Sequence, residues 1–435
     1  MNIQVRMDHP SVAVGAPGLV HVLLTVKAPA SPASKIRPQL NVAVVLDRSG
    51  SMSGDKLNYA KESVRILLDQ LRPDDRFSLV TFDNEVLPLV EGSRVGDKTD
   101  IKALISQIEC GGSTNLSGGW IKGIELVACE AQAGNVDAVL LLTDGQANLG
   151  IVDHAQLVAM GESVNREQGV RTSCLGLGRD FNEDLLKNIA SASGGRFHYI
   201  ESPDHAPEVF QEELGGLLSV VAQNVELTLD FADGVTGVTQ LTGHPWKVEG
   251  ATCRLILGDF HDEQVKHVLL VAQLPAMTDL TDMLLASMKM NYAEIKEGSI
   301  EIKSQKQNLI VQIVDAADCA KSGDPEVLLH IGIQHAAQAR QAAVAQLDKG
   351  NVTAATKVLE EQRDQLRSMA PKSSAPDRLN AEAAELDHRA RELREDQDVQ
   401  GSRKFMVAEC ACLSRTDYSA AQSNRKRHNR PRGKV

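Results

Sequence analysis

The sequence predicts an α/β domain with a doubly wound parallel sheet, inserted in a β-sandwich and followed by an α-helical region. Between residues 39 and 220, apolar runs typical of buried strands alternate with amphipathic helical segments. On both sides of this part, at residues 3–26 and 225–314, apolar and polar residues alternate with the period of half-buried strands. From residue 315 the chain is rich in Ala, Gln and Glu, which favours helices.

Length and composition limit the classes of protein to consider. A chain of 435 residues exceeds what one hydrophobic core usually covers, so we expect about two or three domains. Aromatic residues make up only 3%, which predicts aliphatic cores. The formal net charge of -12 argues against general nucleic-acid binding by the main body of the protein.

Cysteine usage and hydropathy indicate a reducing, aqueous compartment. The seven cysteines are odd in number and form no C-x-x-C pair, so reduced structural thiols are expected. Cys410 and Cys412 could bind a metal or be oxidised, but the interpretation we favour is an incidental pair. The first ten residues lack a signal-peptide core, and no apolar run reaches the length of a membrane span. We therefore expect a soluble cytoplasmic protein.

The period-two segments predict how the chain is divided. Strands at residues 3–7 and 20–26 are too few to fold alone, because an isolated hairpin is only marginally stable. We expect them to complete a sandwich with later strands, with residues 28–34 as a linker. The predicted units are N-terminal sandwich strands at 1–38, the α/β domain at 39–220, the remaining sandwich at 221–314, a helical hairpin and coiled-coil region at 315–413, and a basic disordered tail at 414–435.

Within the α/β part, each element follows from its pattern. Apolar residues recur on one face of a helix at about 55–71, and two strands at 76–83 and 86–90 share a tight turn, which predicts an antiparallel edge pair. Helices are predicted near 98–108, 116–132, 153–168, 182–193 and 203–220, and strands at 40–46, 139–142, 170–175 and 196–200.

The helical region carries a short heptad pattern. Apolar residues occupy its a and d positions at Leu379, Ala383, Leu386, Ala390 and Leu393. Packing on the preceding helical hairpin is the interpretation we favour, and a dimer seam is the alternative. The basic tail, with Arg425 at its start, is expected to be solvated, or else to contact an anionic partner.

Hard oxygen ligands follow the first buried strand of the α/β part. Asp47, Ser49 and Ser51 lie on one loop, at the carboxyl end of a strand, where ligands bind in open α/β sheets. Such oxygens suit Mg²⁺, Mn²⁺ or Ca²⁺. An isolated D-x-S-x-S is more often a simple turn. However, Thr114 in a loop that opens a helix and Asp144 at the end of a second buried strand place further oxygens at the same sheet edge.

This combination resembles the von Willebrand factor A domain, which has a Rossmann-like fold and a metal-ion-dependent adhesion site. That site consists of D-x-S-x-S, a threonine and an aspartate in this order, and all five positions match: Asp47, Ser49, Ser51, Thr114 and Asp144. The resemblance implies that the three hydroxyls bind the ion, preferably Mg²⁺ with Mn²⁺ or Ca²⁺ as alternatives, while both aspartates hold it largely through water. It also implies one position for a carboxylate from a partner protein.

Two further stretches narrow the resemblance. The run from Gly176 to Gly216 and the Leu-Gly-Asp-Phe at 257–260 resemble bacterial relatives of calcium-activated chloride channel regulators and inter-α-trypsin inhibitor heavy chains. This resemblance implies a bacterial protein, and it does not imply a pore. The G-x-G at Gly176 and Gly178 predicts no dinucleotide site, because the third glycine of that motif is replaced by Phe181.

Two hypotheses for function follow. The first is a non-enzymatic, metal-dependent interaction module that captures a Glu or Asp of a partner protein. The alternative is a metal-assisted hydrolase acting on a phosphate ester, since a bound Mg²⁺ can orient a phosphate. We expect the first, because the sequence places no general base and no basic clamp near the predicted metal loop.

Overall fold

The computed structural model describes residues 1–30, 38–132, 135–144, 147–177, 182–200, 206–296, 299–319, 323–395, 399–414, 418, 421–422 and 425. Residues 31–34 of the predicted linker, Gly178, Phe181 and residues 426–435 of the tail lie outside this described part. Most of the apolar residues that the sequence analysis assigned to strands and helices are buried.

A mixed, mostly parallel sheet forms the centre of the α/β domain. Its strands are β4 (Leu40–Asp47), β5 (Arg76–Phe82), β6 (Val86–Arg94), β7 (Val136–Thr143), β8 (Arg171–Leu177) and β9 (Gly194–Ile200). Their order is β6-β5-β4-β7-β8-β9, and only β6 runs antiparallel to its neighbour. The predicted antiparallel edge pair is therefore β5 and β6, and the strands that carry Asp47 and Asp144 are neighbours.

Helices cover both faces of this sheet. They are α1 (Asp55–Gln70), α2 (Thr99–Ser106), α3 (Leu116–Cys129), α4 (His154–Gln168), α5 (Glu183–Ala192) and α6 (Ala206–Leu218). One core joins α1, α2 and α6 to Leu40, Val42, Val44 and Leu46, and a second joins α3, α4 and α5 to Ala43 and Val45. Alternate residues of β4 thus enter opposite cores, as a doubly wound sheet requires. Helix α3 lies close to the sheet because Gly119 and Gly123 face Phe82 and Val45, with no room for a Cβ atom.

The strands on either side of the α/β domain form two sheets of a sandwich. They are β1 (Asn2–Met7), β2 (Ser11–Ala13), β3 (Gly18–Lys27), β10 (Val220–Phe231), β11 (Thr236–Gln240), β12 (Trp246–Glu249), β13 (Thr252–His261), β14 (Val265–Leu274), β15 (Asp282–Lys296) and β16 (Ser299–Val314). The sheet orders are β1-β3-β14-β11 and β12-β13-β10-β15-β16-β2. Because β3 pairs with β14 and β2 with β16, the N-terminal strands complete the later sandwich, which confirms the predicted fold class.

The chain enters and leaves the α/β domain beside one turn of the sandwich. At the entry, the Ala28 N–H donates to the Gln264 carbonyl oxygen at 2.9 Å. At the exit, the Asp262 N–H donates to the Ser219 carbonyl oxygen at 2.7 Å. Both contacts involve the turn between β13 and β14, so the two ends of the insertion meet at the same place. The domain boundaries themselves stay predictions.

The C-terminal region consists of four helices in the described part: α7 (Pro325–Leu347), α8 (Val352–Met369), α9 (Pro376–Arg394) and α10 (Val399–Ser414). The heptad residues of α9 are buried against α7 and α8, so the intramolecular packing that we favoured is what the structure shows. Arg340 is fully buried between Glu382 and Glu409, with Nε 2.8 Å from Glu409. Arg425 pairs with the same two carboxylates, which corrects the expectation that the tail is solvated from its start.

Helix α10 also fixes the helical region against the α/β domain. Lys404 Nζ donates to Glu183 at 2.9 Å, in a pair that is almost completely buried, and Arg403 contacts the same carboxylate. Among the described residues, no helix is both long and apolar enough to cross a membrane.

A pair of histidine rings joins the sandwich to the helical region. His267 on β14 and His330 on α7 stack with ring centroids 4.0 Å apart, and Tyr418 Oη lies 3.0 Å from His330 Nδ1. Burial lowers the pKa of His330 to about 4, and burial together with the neighbouring His330 lowers that of His267 to about 3. Both rings are therefore neutral at physiological pH, and they act as packing residues, as the sequence analysis expected of His267.

Candidate metal centre

Asp47 is the last residue of β4. Its carboxylate is completely buried, and each of its two oxygens accepts a hydrogen bond. One oxygen accepts the Ser49 N–H at 2.8 Å, and the other accepts the Thr143 hydroxyl from the neighbouring strand β7. Burial raises the pKa of Asp47 to about 6, although the hydrogen bonds from Thr143 and Ser49 act in the opposite direction. At neutral pH the group is thus an ionised carboxylate held in one orientation. Burying this charge costs desolvation free energy, which a bound cation would offset.

The two serines connect the ends of β4 and β7. Ser49 Oγ lies 3.1 Å from Ser51 Oγ, and the Ser51 hydroxyl donates to Asp144 Oδ1 at 2.7 Å. A short 3-10 turn, Gly50–Met52, brings these hydroxyls back toward the strand ends. Four of the five predicted ligands, Asp47, Ser49, Ser51 and Asp144, therefore meet in one cluster of oxygen atoms at the carboxyl edge of the sheet.

Thr114 lies on a second loop that is attached to the first. Gly111 N–H donates to the Arg48 carbonyl oxygen at 2.7 Å, and Gly50 N–H donates to the Gly112 carbonyl oxygen at 2.9 Å. The glycines are required, because a Cβ atom at Gly111 would lie 1.6 Å from an Asp83 carboxylate oxygen. Thr114 itself is buried, and within the described part of the chain no hydrogen bond joins it to the other four predicted ligands.

Asn148 holds the position of Thr114. Its side-chain oxygen accepts the Thr114 N–H at 2.8 Å, and its own N–H donates to the Thr114 carbonyl oxygen at 3.2 Å. The sequence analysis missed Asn148. Its only signal was its place four residues after Asp144, on the loop that leaves the same strand.

Two basic side chains also lie at this edge of the sheet, and the predicted site did not include them. Lys56 Nζ contacts Asp144 Oδ2, and Arg48 Nη2 lies 3.1 Å from Asp83 Oδ2. Lys56 reaches the site because α1 begins at Asp55, directly after the serine loop, so its first turn lies beside the end of β7. Both cations are paired with carboxylates, which leaves them neutralised.

The donor set fits a hard divalent cation. It consists of carboxylate and hydroxyl oxygens only, the ligands that Mg²⁺, Mn²⁺ and Ca²⁺ prefer. Among the described residues, no group of three or more His, Cys, Asp or Glu side chains has a metal-binding arrangement. A cation already contacts Asp144 in the form of the Lys56 ammonium group. Cys410 and Cys412, buried on α10, take part in no metal cluster of this part of the chain.

Comparison with known proteins agrees with the fold. A family model described as the von Willebrand factor type A domain matches residues 41–212. A structure described as von Willebrand factor type A from Catenulispora acidiphila superposes with a TM-score of 0.70 at 18% identity, covering 95% of this chain and 96% of that one. Residues 41–212, which match this family model, are here called the VWA domain.

Two relatives show how far the sequence similarity extends. The Synechocystis protein sll0103 is 26% identical over 322 residues, which cover 72% of this chain and 76% of that protein. Inter-alpha-trypsin inhibitor heavy chain H1 of Bos taurus is 29% identical over 213 residues, which are 46% of this chain but only 23% of the heavy chain. The predicted similarity to the heavy chains is therefore confirmed, for about half of the present chain.

Proposed function

We propose that this protein is a divalent-metal-dependent protein interaction module, in which the VWA domain captures an acidic residue of a partner protein. VWA domains typically mediate metal-dependent protein–protein interactions. The observation that carries the proposal is the cluster of Asp47, Ser49, Ser51 and Asp144, in which hydroxyls from one loop contact a carboxylate from the next strand. That cluster lies at the carboxyl edge of the sheet, where ligands of open α/β folds bind.

Each residue has a defined task in this proposal. The hydroxyls of Ser49, Ser51 and Thr114 would bind the ion directly, while Asp47 and Asp144 balance its charge. When bound, Mg²⁺ would supply a Lewis-acidic position for a Glu or Asp of the partner. Lys56 would have to release Asp144 Oδ2 when the ion enters, so this lysine competes with the ion for the same carboxylate.

We propose a non-enzymatic role. VWA-domain relatives are mostly interaction modules. The two basic side chains at the edge, Lys56 and Arg48, are paired with Asp144 and Asp83, an arrangement that does not favour the phosphate clamp of the hydrolase alternative. The cytoplasmic location and a contact between the basic tail and an anionic partner stay proposals.

Ion binding is tested by thermal unfolding with and without added Mg²⁺ or Mn²⁺. A ligand that binds only the folded state raises Tm by mass action, and we expect this for the wild type. Ser49→Ala with Ser51→Ala should abolish the shift, whereas Ser53→Ala, exposed on the same loop, should retain it. An equal shift in the double variant would place the ion elsewhere.

Partner capture is tested by pull-down from the native host with Mg²⁺ and with a chelator. We expect proteins that are retained by the wild type and by Ser53→Ala only in the presence of Mg²⁺, and that are lost with Ser49→Ala and Ser51→Ala. Retention that depends on neither the metal nor the two serines would contradict the proposal. A divalent-dependent phosphatase activity abolished by Asp144→Ala would favour the hydrolase instead.

A further inference from the structure

A cavity, here called the second cavity to separate it from the candidate metal centre, lies where the VWA domain, the sandwich and the helical region meet. Its volume is about 430 Å³. The VWA domain contributes residues of β8, β9 and α5, the sandwich contributes residues 240–245 and 256–266, and the helical region contributes residues of α7 and α10. This volume is in the range of cavities that hold small-molecule ligands.

The wall of this cavity carries an excess of positive charge. Among the described residues, its lining includes Arg171, Lys187, Arg196 and Lys266, against two carboxylates, Glu213 and Asp259. Both carboxylates already have partners: Glu213 accepts from Ser173 at 2.6 Å and from His198 at 2.9 Å, and Asp259 pairs with Arg171 Nη1 at 3.2 Å. The chemistry of the wall therefore favours an anion.

Arg171 carries the most specific signal. Only 5% of this residue is exposed, and its Nη1 pairs with Asp259. Its Nε and Nη2 have no hydrogen-bond partner among the described residues. These two nitrogens form the side-on edge of the guanidinium, whose parallel N–H groups match the two oxygens of a carboxylate or a phosphate. Buried N–H groups without acceptors are costly, so an acceptor at this edge would stabilise the site.

Two more polar groups of the wall lack a partner in the described part of the protein. They are His261 Nδ1, from the sandwich, and Gln334 Oε1, from α7. Gln334 is fully buried, and its amide nitrogen donates to the Leu413 carbonyl oxygen at 3.0 Å, which fixes the amide. Burial and the positive charges of Arg196 and Arg171 hold the pKa of His261 well below its usual value, so this imidazole is neutral. Each of the three parts thus contributes to the wall of this cavity one residue that has an unpartnered polar atom.

We propose that this cavity is a second ligand site, which takes a small organic anion and holds its carboxylate or phosphate group on the side-on edge of Arg171. His261 and Gln334 hydrogen-bond to other polar atoms of the same ligand. Because the wall comes from three parts of the molecule, the bound anion contacts all of them at once. Occupancy therefore stabilises their packing, independently of the metal centre.

The test is a titration of the full-length protein, without divalent metal, followed by thermal unfolding and by calorimetry. The probes are inorganic phosphate and pyrophosphate for one chemistry and succinate for the other, each against NaCl at equal ionic strength. We expect a saturable rise in Tm with at least one probe, and the active probe identifies the anionic group. The same rise in Ser49→Ala with Ser51→Ala separates this site from the metal centre.

Variants locate the bound anion. Arg171→Lys keeps the charge but removes the side-on edge, and should weaken binding about tenfold or more in Kd. Since a change at Arg171 also alters its pair with Asp259, Lys187→Gln on the half-buried wall is a second variant, with weaker binding expected. Arg166→Gln, on the exposed face of α4, should bind like the wild type. A rise in Tm that NaCl reproduces, or wild-type Kd values for both Arg171→Lys and Lys187→Gln, would overturn the proposal.

Discussion

Acidification should destabilise the protein through His330, which packs between the sandwich and the helical region. The folded-state pKa of about 4 lies below the ordinary value of 6.5, so between these values the unfolded chain binds more protons. Stability therefore rises with pH across this window. The contribution of His330 is fully present above about pH 6.5 and is lost as the pH falls toward 4.

The expected magnitude follows from the same two values. A pKa lowered from 6.5 to about 4 corresponds to about 3 kcal/mol once both states have titrated. Between about pH 7.5 and pH 5, roughly 2 kcal/mol of this is lost. His330 is only 2% exposed, so solvent screens the effect little. His267 titrates in the same direction and increases the loss.

The comparison that isolates this effect uses His330→Gln, which can still hydrogen-bond to Tyr418 but does not titrate. Urea unfolding, followed by circular dichroism at about pH 7.5 and pH 5, should show the variant losing roughly 2 kcal/mol less than the wild type. Contributions of groups that do not contact His330, including Asp47, are common to both proteins and cancel. His388→Gln, on the exposed side of α9, serves as control and should follow the wild type. If His330→Gln loses as much stability as the wild type, the assigned role of this ring is wrong.

Three other changes have definite expected outcomes. Thr114→Ala should stay folded and take up Mg²⁺ weakly, but partner affinity, measured by titration with a captured partner, should fall by roughly thirtyfold or more; unchanged affinity would place the interface elsewhere. Deleting residues 1–36 removes β1 to β3 and exposes the edge of β14, so size-exclusion chromatography should show aggregates, and a soluble monomer with full β signal would refute the inserted arrangement. Glu409→Gln removes one of the two carboxylates that pair with the buried Arg340 and should lower the free energy of unfolding by about 3 kcal/mol. A change below about 1 kcal/mol in urea unfolding would show that the remaining carboxylate, Glu382, compensates.

The sequence predicts those parts of the site that local pattern determines. Asp47 directly follows an apolar run and Asp144 follows another after Thr143, and neighbouring parallel strands necessarily bring their carboxyl ends together. Ser49 and Ser51 follow from their spacing on the same loop. That all five predicted ligands bind an ion stays a prediction, but their location at one sheet edge required no knowledge of distant contacts.

What the sequence does not predict depends on contacts between distant segments. The pairing of Lys56 with Asp144 results from the direction in which α1 leaves the serine loop, and a charge pattern alone does not contain that direction. The second cavity depends even more on contacts between distant segments. Arg171, His261 and Gln334 come from three parts of the chain, and none belongs to a motif. Arg425 is similar, because its basic neighbours suggest a solvated tail while its actual partners are two buried carboxylates.

The insertion of the VWA domain sets an order for folding. Ser11 pairs with Gln312 and Lys27 with Val265, so β2 and β3 wait for partners that are synthesised after the whole VWA domain. At roughly 5–20 residues per second, that delay is about tens of seconds on the ribosome. The VWA domain has its own cores and can fold during this interval. Since its entry and exit meet at one turn, its folding closes the long loop in advance and removes most of the entropic barrier to pairing β3 with β14. The domain that is proposed to capture a partner would then also help the surrounding sandwich to fold, because it brings β3 close to β14.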